Sequence, residues 1–194
     1  MSRYFQYFPK IKYGDKVMTD ITKNVRLLDD IESDPYAFLP YTVGDEESPE
    51  DIALYYYEDI NHVWLVYASN KIVDPYFQWP LSNKVLESTI QKKYKAQAEQ
   101  ATGGEMSPQS VLQWTQDEDR PGNIVYYYGS EGTKITVDTY TNGVENESIA
   151  SADWTAMRIY DEELRLNEDK RDIRLLNREY TKTATRNLKR VLNG

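Results

Sequence analysis

The stretch of residues 41–81 constrains the fold more than any other part of the chain, because turn and capping residues divide it into short elements. Residues 41–43 are β-branched or aromatic and run into Gly44, which predicts a short strand that ends in a turn. Ser48 and Pro49 then predict the start of a helix, since serine caps free backbone N–H groups and proline suits the first helical position. The chain is therefore expected to pass directly from a strand into a helix.

A second helix and an extended return follow in the same stretch. Asn61 is suited to cap the second helix, and Asn70 suits a left-handed residue that ends it. Pro75 and Pro80 predict an extended path for the aromatic residues between them, because proline restricts its own backbone and that of the preceding residue. The resulting order of strand, helix, helix and extended return is typical of a compact binding module rather than an active site.

This order resembles that of a LysM domain. The residues that carry the resemblance are the opening YTVGD, the helix start SPEDIA and the sequence NKIVDP after the second helix. LysM domains commonly bind N-acetylglucosamine glycans such as peptidoglycan, so the resemblance implies a peptidoglycan-binding module as one alternative. The sequence DPYFQWPLS replaces the usual short closing strand, which distinguishes this chain from an ordinary LysM domain.

The sequence WLVYASNKIVDPYFQWPLS is similar to the baseplate wedge protein of T4-type contractile-tailed bacteriophages, the gene-53 family. The N-terminal MSRYFQYFPKIKY, the stretch 18–24 and EELRLNEDKRDIRLLN near the C-terminus also resemble that family. The resemblance implies a structural component, without enzymatic activity or cofactor, that joins wedge proteins and links neighbouring wedges into a six-fold ring during baseplate assembly. It also implies synthesis in the host bacterial cytoplasm and a final location in the virion tail baseplate.

The predicted fold class is α+β: a small LysM-like βααβ module with an extended N-terminal arm, a β-hairpin and C-terminal helices. No internal repeat is evident in the sequence. The expected boundaries place the arm at residues 1–40, the module with its following helix at 41–101, a loop at 102–123, the hairpin region at 124–150 and the C-terminal helical region at 151–194.

Outside the module, the spacing of apolar residues predicts the next elements. A helix capped by Ser82 is expected to reach about Ala101, with an apolar residue at every fourth position. The polar residues 105–123 are expected to form a loop. Two strand-like runs, 124–128 and 134–140, predict a hairpin, because a short loop containing two glycines separates them.

The C-terminal region is expected to hold two helices around one short element. The first helix starts at Ser151 or Asp153 and carries Trp154, Met157, Tyr160 and Leu164. Residues 172–176 suit a strand or a helix, and the alternation of apolar and charged side chains favours a strand. The last helix has an apolar stripe that either joins the core or docks on a partner helix. That stripe comprises Ala184, Leu188, Val191 and Leu192.

The N-terminal arm is rich in aromatic residues and is interrupted by Pro9 and by the turn residues Gly14 and Asp15. Such an arm either adds a strand to a neighbouring protein's sheet or forms an edge strand of the chain's own fold. Aromatic residues of the arm and the module are the predicted partner contacts, with Trp64 also suited to the core. They are Tyr4, Phe5, Tyr7, Phe8, Trp64, Tyr67, Tyr76, Phe77 and Trp79.

Charge is unevenly placed along the chain. The net charge of −9 disfavours a nucleic-acid groove, yet residues 158–194 carry a net charge of +3 and the remainder −12. A basic tail on an acidic body favours head-to-tail assembly, and a solvated helix face explains the same charges. The 17 tyrosines against four phenylalanines suit surfaces that become buried against partners, or alternatively a strand-rich fold.

Signals of several other protein classes are missing from the sequence. Without cysteine, a disulfide framework and a thiolate zinc site are excluded. Residues 1–13 contain no apolar signal core and no run approaches the length of a membrane span, so secretion and membrane insertion are not predicted. His62, the single histidine, has no nucleophile motif beside it and is typical of a helix start.

Adjacent carboxylates raise a third alternative, a tail-associated enzyme that cleaves cell wall. A glycosidase needs two carboxylates about 5 to 10 Å apart on either side of a sugar. The acid pairs of this chain lie in polar stretches, where they are expected to be solvated, and the acidic run 117–119 lacks the spacing of a calcium loop. We therefore predict neither catalytic nor metal-binding residues.

Overall fold

The computed structural model describes residues 8–20 and 29–193, and the α+β class predicted from the sequence is confirmed. The chain forms two compact units: unit 1 comprises residues from 1–80 and 170–194, and unit 2 spans 81–169. The strands are β1 (Lys10–Tyr13), β2 (Lys16–Thr19), β3 (Phe38–Thr42), β4 (Ile124–Gly129), β5 (Lys134–Ile135), β6 (Trp154–Arg158) and β7 (Asp172–Leu176). The helices are α1 (Asp29–Glu32), α2 (Pro49–Tyr57), α3 (Val63–Ser69), α4 (Pro75–Gln78), α5 (Asn83–Thr102), α6 (Pro108–Gln116), α7 (Val137–Glu145), α8 (Ile159–Glu168) and α9 (Thr181–Asn193).

Unit 1 is closed by an antiparallel pair of strands that are far apart in the sequence. β3 pairs with β7 over five residues, from Phe38 opposite Leu176 to Thr42 opposite Asp172. The strand predicted at residues 172–176 is therefore confirmed. In the sheets formed by the described residues, β3 has β7 as its neighbour. The segment that directly follows α3, where the sequence predicts an extended return, therefore does not supply the strand that pairs with β3.

The core of unit 1 gathers apolar side chains from the strand pair and from α2, α3 and α9. On α9, Ala184, Leu188 and Leu192 are at most 3% exposed, so these members of the predicted stripe belong to the core. The side chain of Val191 lies outside the described residues. Burial of such a stripe is the main source of stability for a helix of this length. The remaining core includes Ile52, Ala53, Trp64, Leu65, Val66, Ile173, Leu175 and Leu176.

Helix α2 begins where its capping residues predict. The Ser48 hydroxyl accepts a hydrogen bond from the Asp51 N–H, and the Asp51 carboxylate accepts one from the Ser48 N–H, both at 3.1 Å. Asn61 does not cap α3, contrary to the prediction. Its N–H and its side-chain amide both donate to Asp59, which caps a short 3-10 helix at Ile60–His62 before α3 begins.

Asn70 ends α3 and also ties that helix to β7. The predicted left-handed conformation of Asn70 is wrong, since its φ is −107° and Lys71 takes the left-handed conformation with a φ of 56°. The Asn70 side chain instead accepts from the Arg174 N–H at 2.8 Å and donates to the Arg174 carbonyl at 2.9 Å. One side chain thus satisfies both backbone groups of Arg174, the strand residue that lies opposite Pro40 in the ladder.

Unit 2 combines α5, α6 and α8 with a sheet of strand order β5-β4-β6. The helix predicted after Ser82 is confirmed as α5, and Leu86 and Ile90 of its apolar stripe are buried. Tyr94 packs against both apolar clusters of the unit. The buried members of these clusters are Leu86, Ile90, Ala98, Val111, Leu112, Trp114 and Ile159.

The predicted loop at residues 105–123 contains helix α6. The Ser107 hydroxyl caps this helix by accepting from the Ser110 N–H at 3.1 Å, and Pro108 occupies the first turn. The helix buries Val111, Leu112 and Trp114. The prediction is wrong here because polar residues on both sides obscure a short apolar face that only packing against α5 and α8 makes stable.

The predicted hairpin and the helix after it are each correct only in part. The loop and the first strand of the hairpin are confirmed, but its second strand ends at Ile135 because Thr136 caps α7. Residues 137–140 of the run predicted as the second strand consequently belong to that helix. Trp154 begins β6 rather than a helix, since pairing with β4 overrides the local helical spacing. The helix starts only at Ile159.

Buried and partly buried polar side chains stabilise unit 2 through hydrogen bonds within the unit. The Asn167 side chain, which is 2% exposed, accepts from the Leu81 N–H at 2.7 Å and donates to the Leu81 carbonyl at 2.9 Å. The Glu162 carboxylate accepts two hydrogen bonds from Arg165, both at 2.9 Å, and one from the Tyr126 hydroxyl at 2.8 Å. The hydrogen bonds from Arg165 are the largest cause of a lowered pKa of Glu162, and the bond from Tyr126 lowers it further. The pKa of Glu162 is about 2.

Cysteines at positions 42 and 172 should form a disulfide. Thr42 and Asp172 face each other in the ladder, with Thr42 Oγ1 3.0 Å from Asp172 Oδ1. Facing side chains of an antiparallel pair lie within the reach of a disulfide, and no native cysteine competes. After mild oxidation, Thr42→Cys/Asp172→Cys should migrate faster on a non-reducing gel, whereas Thr42→Cys alone should not. Failure of the folded double variant to form this bond would contradict the β3–β7 register.

Acid should weaken unit 2 through Glu162. Its pKa of about 2 in the folded chain lies below the ordinary value of about 4.3, so its contacts stabilise fully above that value and progressively less as pH falls towards 2. Glu162→Gln should lower the free energy of unfolding near neutral pH and flatten its decline from about pH 5 to 2. Glu131→Gln, at an exposed position, is the control and should follow the wild type. Urea unfolding at each pH measures this, and an unchanged decline in Glu162→Gln would refute it.

Candidate functional site

A short turn after α3, residues 73–79, presents aromatic side chains on an ordered backbone, and we call it the aromatic turn. The Asp74 carboxylate accepts from the Tyr76 N–H at 3.1 Å, and Pro75 occupies the first helical position, so these residues begin the one-turn helix α4. The extended path predicted for the segment is therefore wrong for Tyr76 and Phe77 and correct for Trp79. An aspartate followed by a proline starts a helix here, and the backbone becomes extended at Trp79.

Two side chains hold the aromatic turn: Gln78 closes it internally, and Trp79 anchors it to the rest of unit 1. Gln78 Oε1 accepts from two successive backbone N–H groups at the start of the turn, both at 2.8 Å. Trp79 Nε1 donates to the Glu47 carbonyl at 3.1 Å, and the indole packs edge-on against Tyr67 with ring centroids 6.5 Å apart. The backbone of the turn is thus held at both ends by side-chain hydrogen bonds.

The loop that receives Trp79 is itself ordered by hydrogen bonds. The Glu47 carboxylate accepts from the Tyr41 hydroxyl at 2.6 Å and from the Gly44 N–H at 2.8 Å. Burial, together with this carboxylate, raises the pKa of Tyr41 to about 12, so the hydroxyl remains a donor at neutral pH. β3, the loop after it and the aromatic turn therefore form one connected network.

Three apolar side chains of the aromatic turn are exposed. Val73 is 80% exposed, Tyr76 81% and Phe77 68%. The rings of Tyr76 and Phe77 meet edge to face with centroids 5.0 Å apart. Large apolar side chains on an already ordered backbone suit protein contact, because little conformational entropy remains to be lost on binding.

The structure places the predicted contact residues in four different settings. Two are core residues, at 4% and 7% exposure: Phe8 and Trp64. Two are partly buried and support the aromatic turn: Tyr67 and Trp79. Two lie on the surface next to each other: Tyr76 and Phe77. Three lie outside the described residues: Tyr4, Phe5 and Tyr7.

A second exposed apolar surface lies at residues 10–19, where β1 and β2 pair as a hairpin. Ile11 and Met18 face each other, Tyr13 lies on the same face, and the three are 43%, 50% and 76% exposed. Sequence analysis did not identify these side chains as contacts. The signal that indicates them is the alternation of lysines with apolar residues before the Gly14 turn and the apolar pair Val17 and Met18 after it.

The described residues offer little chemistry beyond contact. His62 Nδ1 lies 4.0 Å from Asp59 Oδ2, which is beyond hydrogen-bond distance. Within residues 8–20 and 29–193, no three His, Asp or Glu side chains come close enough together to hold a metal ion. Among the helices of the same residues, none combines the length and the apolar character that a membrane span requires.

Nearly the whole chain matches one protein family. A family model described as base plate wedge protein 53 matches residues 4–191. No curated protein matches the chain. Because the family match covers nearly all of unit 1 and all of unit 2, the chain belongs to the base plate wedge protein 53 family, the structural proteins of phage tail baseplates.

Proposed function

We propose that this chain joins baseplate wedge proteins and links neighbouring wedges into a six-fold ring, by surface fit and without catalysis. The observation that carries the proposal is the aromatic turn, where Tyr76 and Phe77 are 81% and 68% exposed on an anchored backbone. Leaving two adjacent aromatic rings in water is unfavourable for an isolated chain. A wedge partner that covers the two rings removes their apolar surface from water, which favours binding.

An interface on the aromatic turn is favourable for a second reason. Aromatic side chains that fill a partner's pocket often contribute roughly 2 kcal/mol or more each to binding. The hydrogen bonds made by Gln78 and Trp79 already restrict the backbone, so binding orders little more than the two exposed rings. We therefore expect the aromatic turn to dominate the contact energetically.

The N-terminal hairpin is the second contact in this proposal. Seven of the eight residues in β1 and β2 are exposed, and an isolated two-stranded hairpin is marginally stable in water. Phe8, buried just before β1, fixes the point at which the hairpin leaves the core of unit 1. A partner that covers the apolar face of the hairpin would stabilise it. The proposal extends this contact to the preceding arm residues Tyr4, Phe5 and Tyr7.

Peptidoglycan binding is the alternative that the LysM resemblance raises. In unit 1, the loop between β3 and α2 already has its acceptors engaged, since the Glu47 carboxylate binds Tyr41 and Gly44 and its carbonyl binds Trp79. A sugar that competed for these groups would have to replace hydrogen bonds already made within the protein. This observation supports protein contact over glycan binding.

Replacing Tyr76 and Phe77 together by alanine should weaken binding to a purified wedge subassembly that lacks this chain. We expect a loss of at least about 30-fold, since truncating a hot spot costs roughly 2 kcal/mol or more. Tyr36→Ala is the matched control, because Tyr36 is 82% exposed in the same unit and lies outside the aromatic turn. Titration calorimetry measures the affinities, and thermal unfolding checks that each variant folds.

Two results would count against the proposal. Wild-type affinity of Tyr76→Ala/Phe77→Ala would show that the aromatic turn is not the contact. Binding of the wild-type chain to purified peptidoglycan sacculi, with no binding to wedge proteins, would replace the joining function with glycan binding.

A further inference from the structure

Unit 1 contains a groove of about 620 Å³ between the end of α2 and the first turns of α9. Among the described residues that line it, Glu58 is the one carboxylate, against four cationic side chains. These cations are Arg178, Lys182, Arg186 and Lys189, and we call this site the basic groove. Its charge contrasts with that of the chain as a whole, which is −9.

The packing of α9 determines the positions of the three cations that it carries. Lys182, Arg186 and Lys189 recur at spacings of four and three residues, so they share one face of the helix. The apolar stripe of the same helix is buried in the core, which prevents α9 from rotating to disperse these charges. Like charges at such spacings repel each other, and an anion in the groove relieves that repulsion.

Glu58 shows how the groove holds a carboxylate. Its Oε1 accepts from Arg178 Nη1 at 2.9 Å, and the two side chains are 77% and 52% exposed, so this pair remains open to solvent. The Arg178 guanidinium also lies 5.1 Å from the centroid of the Tyr56 ring, which helps to position it. Glu58 pairs with Arg178, and the charges of Lys182 and Arg186 favour carboxylates supplied by another molecule.

We propose that the basic groove binds a short carboxylate-rich segment of another protein of the baseplate wedge. The inference rests on the proposed joining function and specifies the chemistry of a further contact. The volume of the groove falls within the roughly 300 to 1,000 Å³ of small-ligand sites, so it suits a few side chains rather than a flat protein face. A long polyanion such as nucleic acid is disfavoured, because the net charge of −9 repels it.

Charge reversal in the groove tests the proposal on the full chain. Lys182→Glu/Arg186→Glu should bind the purified wedge subassembly at least about 10-fold more weakly than the wild type, and salt should weaken wild-type binding. Lys84→Glu/Lys92→Glu is the matched control, since both lysines are exposed on α5 in unit 2 and the change in net charge is the same. This control should bind like the wild type. The neutral variant Lys182→Gln/Arg186→Gln should show a smaller loss.

Zero-length carbodiimide coupling of the assembled wedge identifies the occupant, because it joins a lysine amine to a carboxylate only when the two are in contact. We expect Lys182 to be coupled to an aspartate or glutamate of another wedge protein, as located by mass spectrometry. Coupling to a second copy of this chain would overturn the proposal. Absence of coupling at Lys182 would overturn it as well.

The variants also separate this inference from the function on which it rests. If the groove variant binds like its control while Tyr76→Ala/Phe77→Ala loses affinity, the groove proposal fails and the joining function stands. If neither variant loses affinity, both proposals fail. An unchanged unfolding temperature for each variant ensures that lost affinity reports on contact rather than on misfolding.

Discussion

The pairing of β3 with β7 is the contact on which the rest of unit 1 depends. It joins residues 38–42 to residues 172–176, and it thereby brings α9 to the core that α2 and α3 begin. Closing a long stretch of chain costs conformational entropy, but this cost grows only with the logarithm of length. Most of the intervening stretch folds as unit 2, with apolar clusters of its own, so the strand pair does not close an unstructured loop.

The strand pair also determines which aromatic side chains are available for contact. β3 leads into the loop of Glu47, this loop receives Trp79, and Trp79 in turn fixes the aromatic turn. Tyr76 and Phe77 are consequently exposed on a backbone that the hydrogen bonds of the Gln78 and Trp79 side chains hold in place. If a baseplate partner covers this pre-ordered surface, as we propose, binding needs neither a large core nor a moving part.

Local sequence signals predicted elements well where the deciding contacts are close in sequence. Ser48 followed by Pro49 correctly indicated the start of α2, whereas the same pair at residues 107–108 was obscured by its polar surroundings. Trp154 was assigned to a helix because its pairing with β4 is a tertiary contact. For the site, the sequence indicated the aromatic residues but not their exposure, which depends on the Trp79 bond to a carbonyl 32 positions away.

We propose that unit 1 buries one set of aromatic residues and presents another to a partner. Hydroxyl-radical footprinting of the chain, free and within an assembled wedge, tests this directly. Trp64 should be protected in both states and Tyr36 oxidised in both, in keeping with exposures of 7% and 82%. Tyr76 and Phe77 should be oxidised in the free chain and protected in the wedge. Equal oxidation of these two residues in both states would contradict the account.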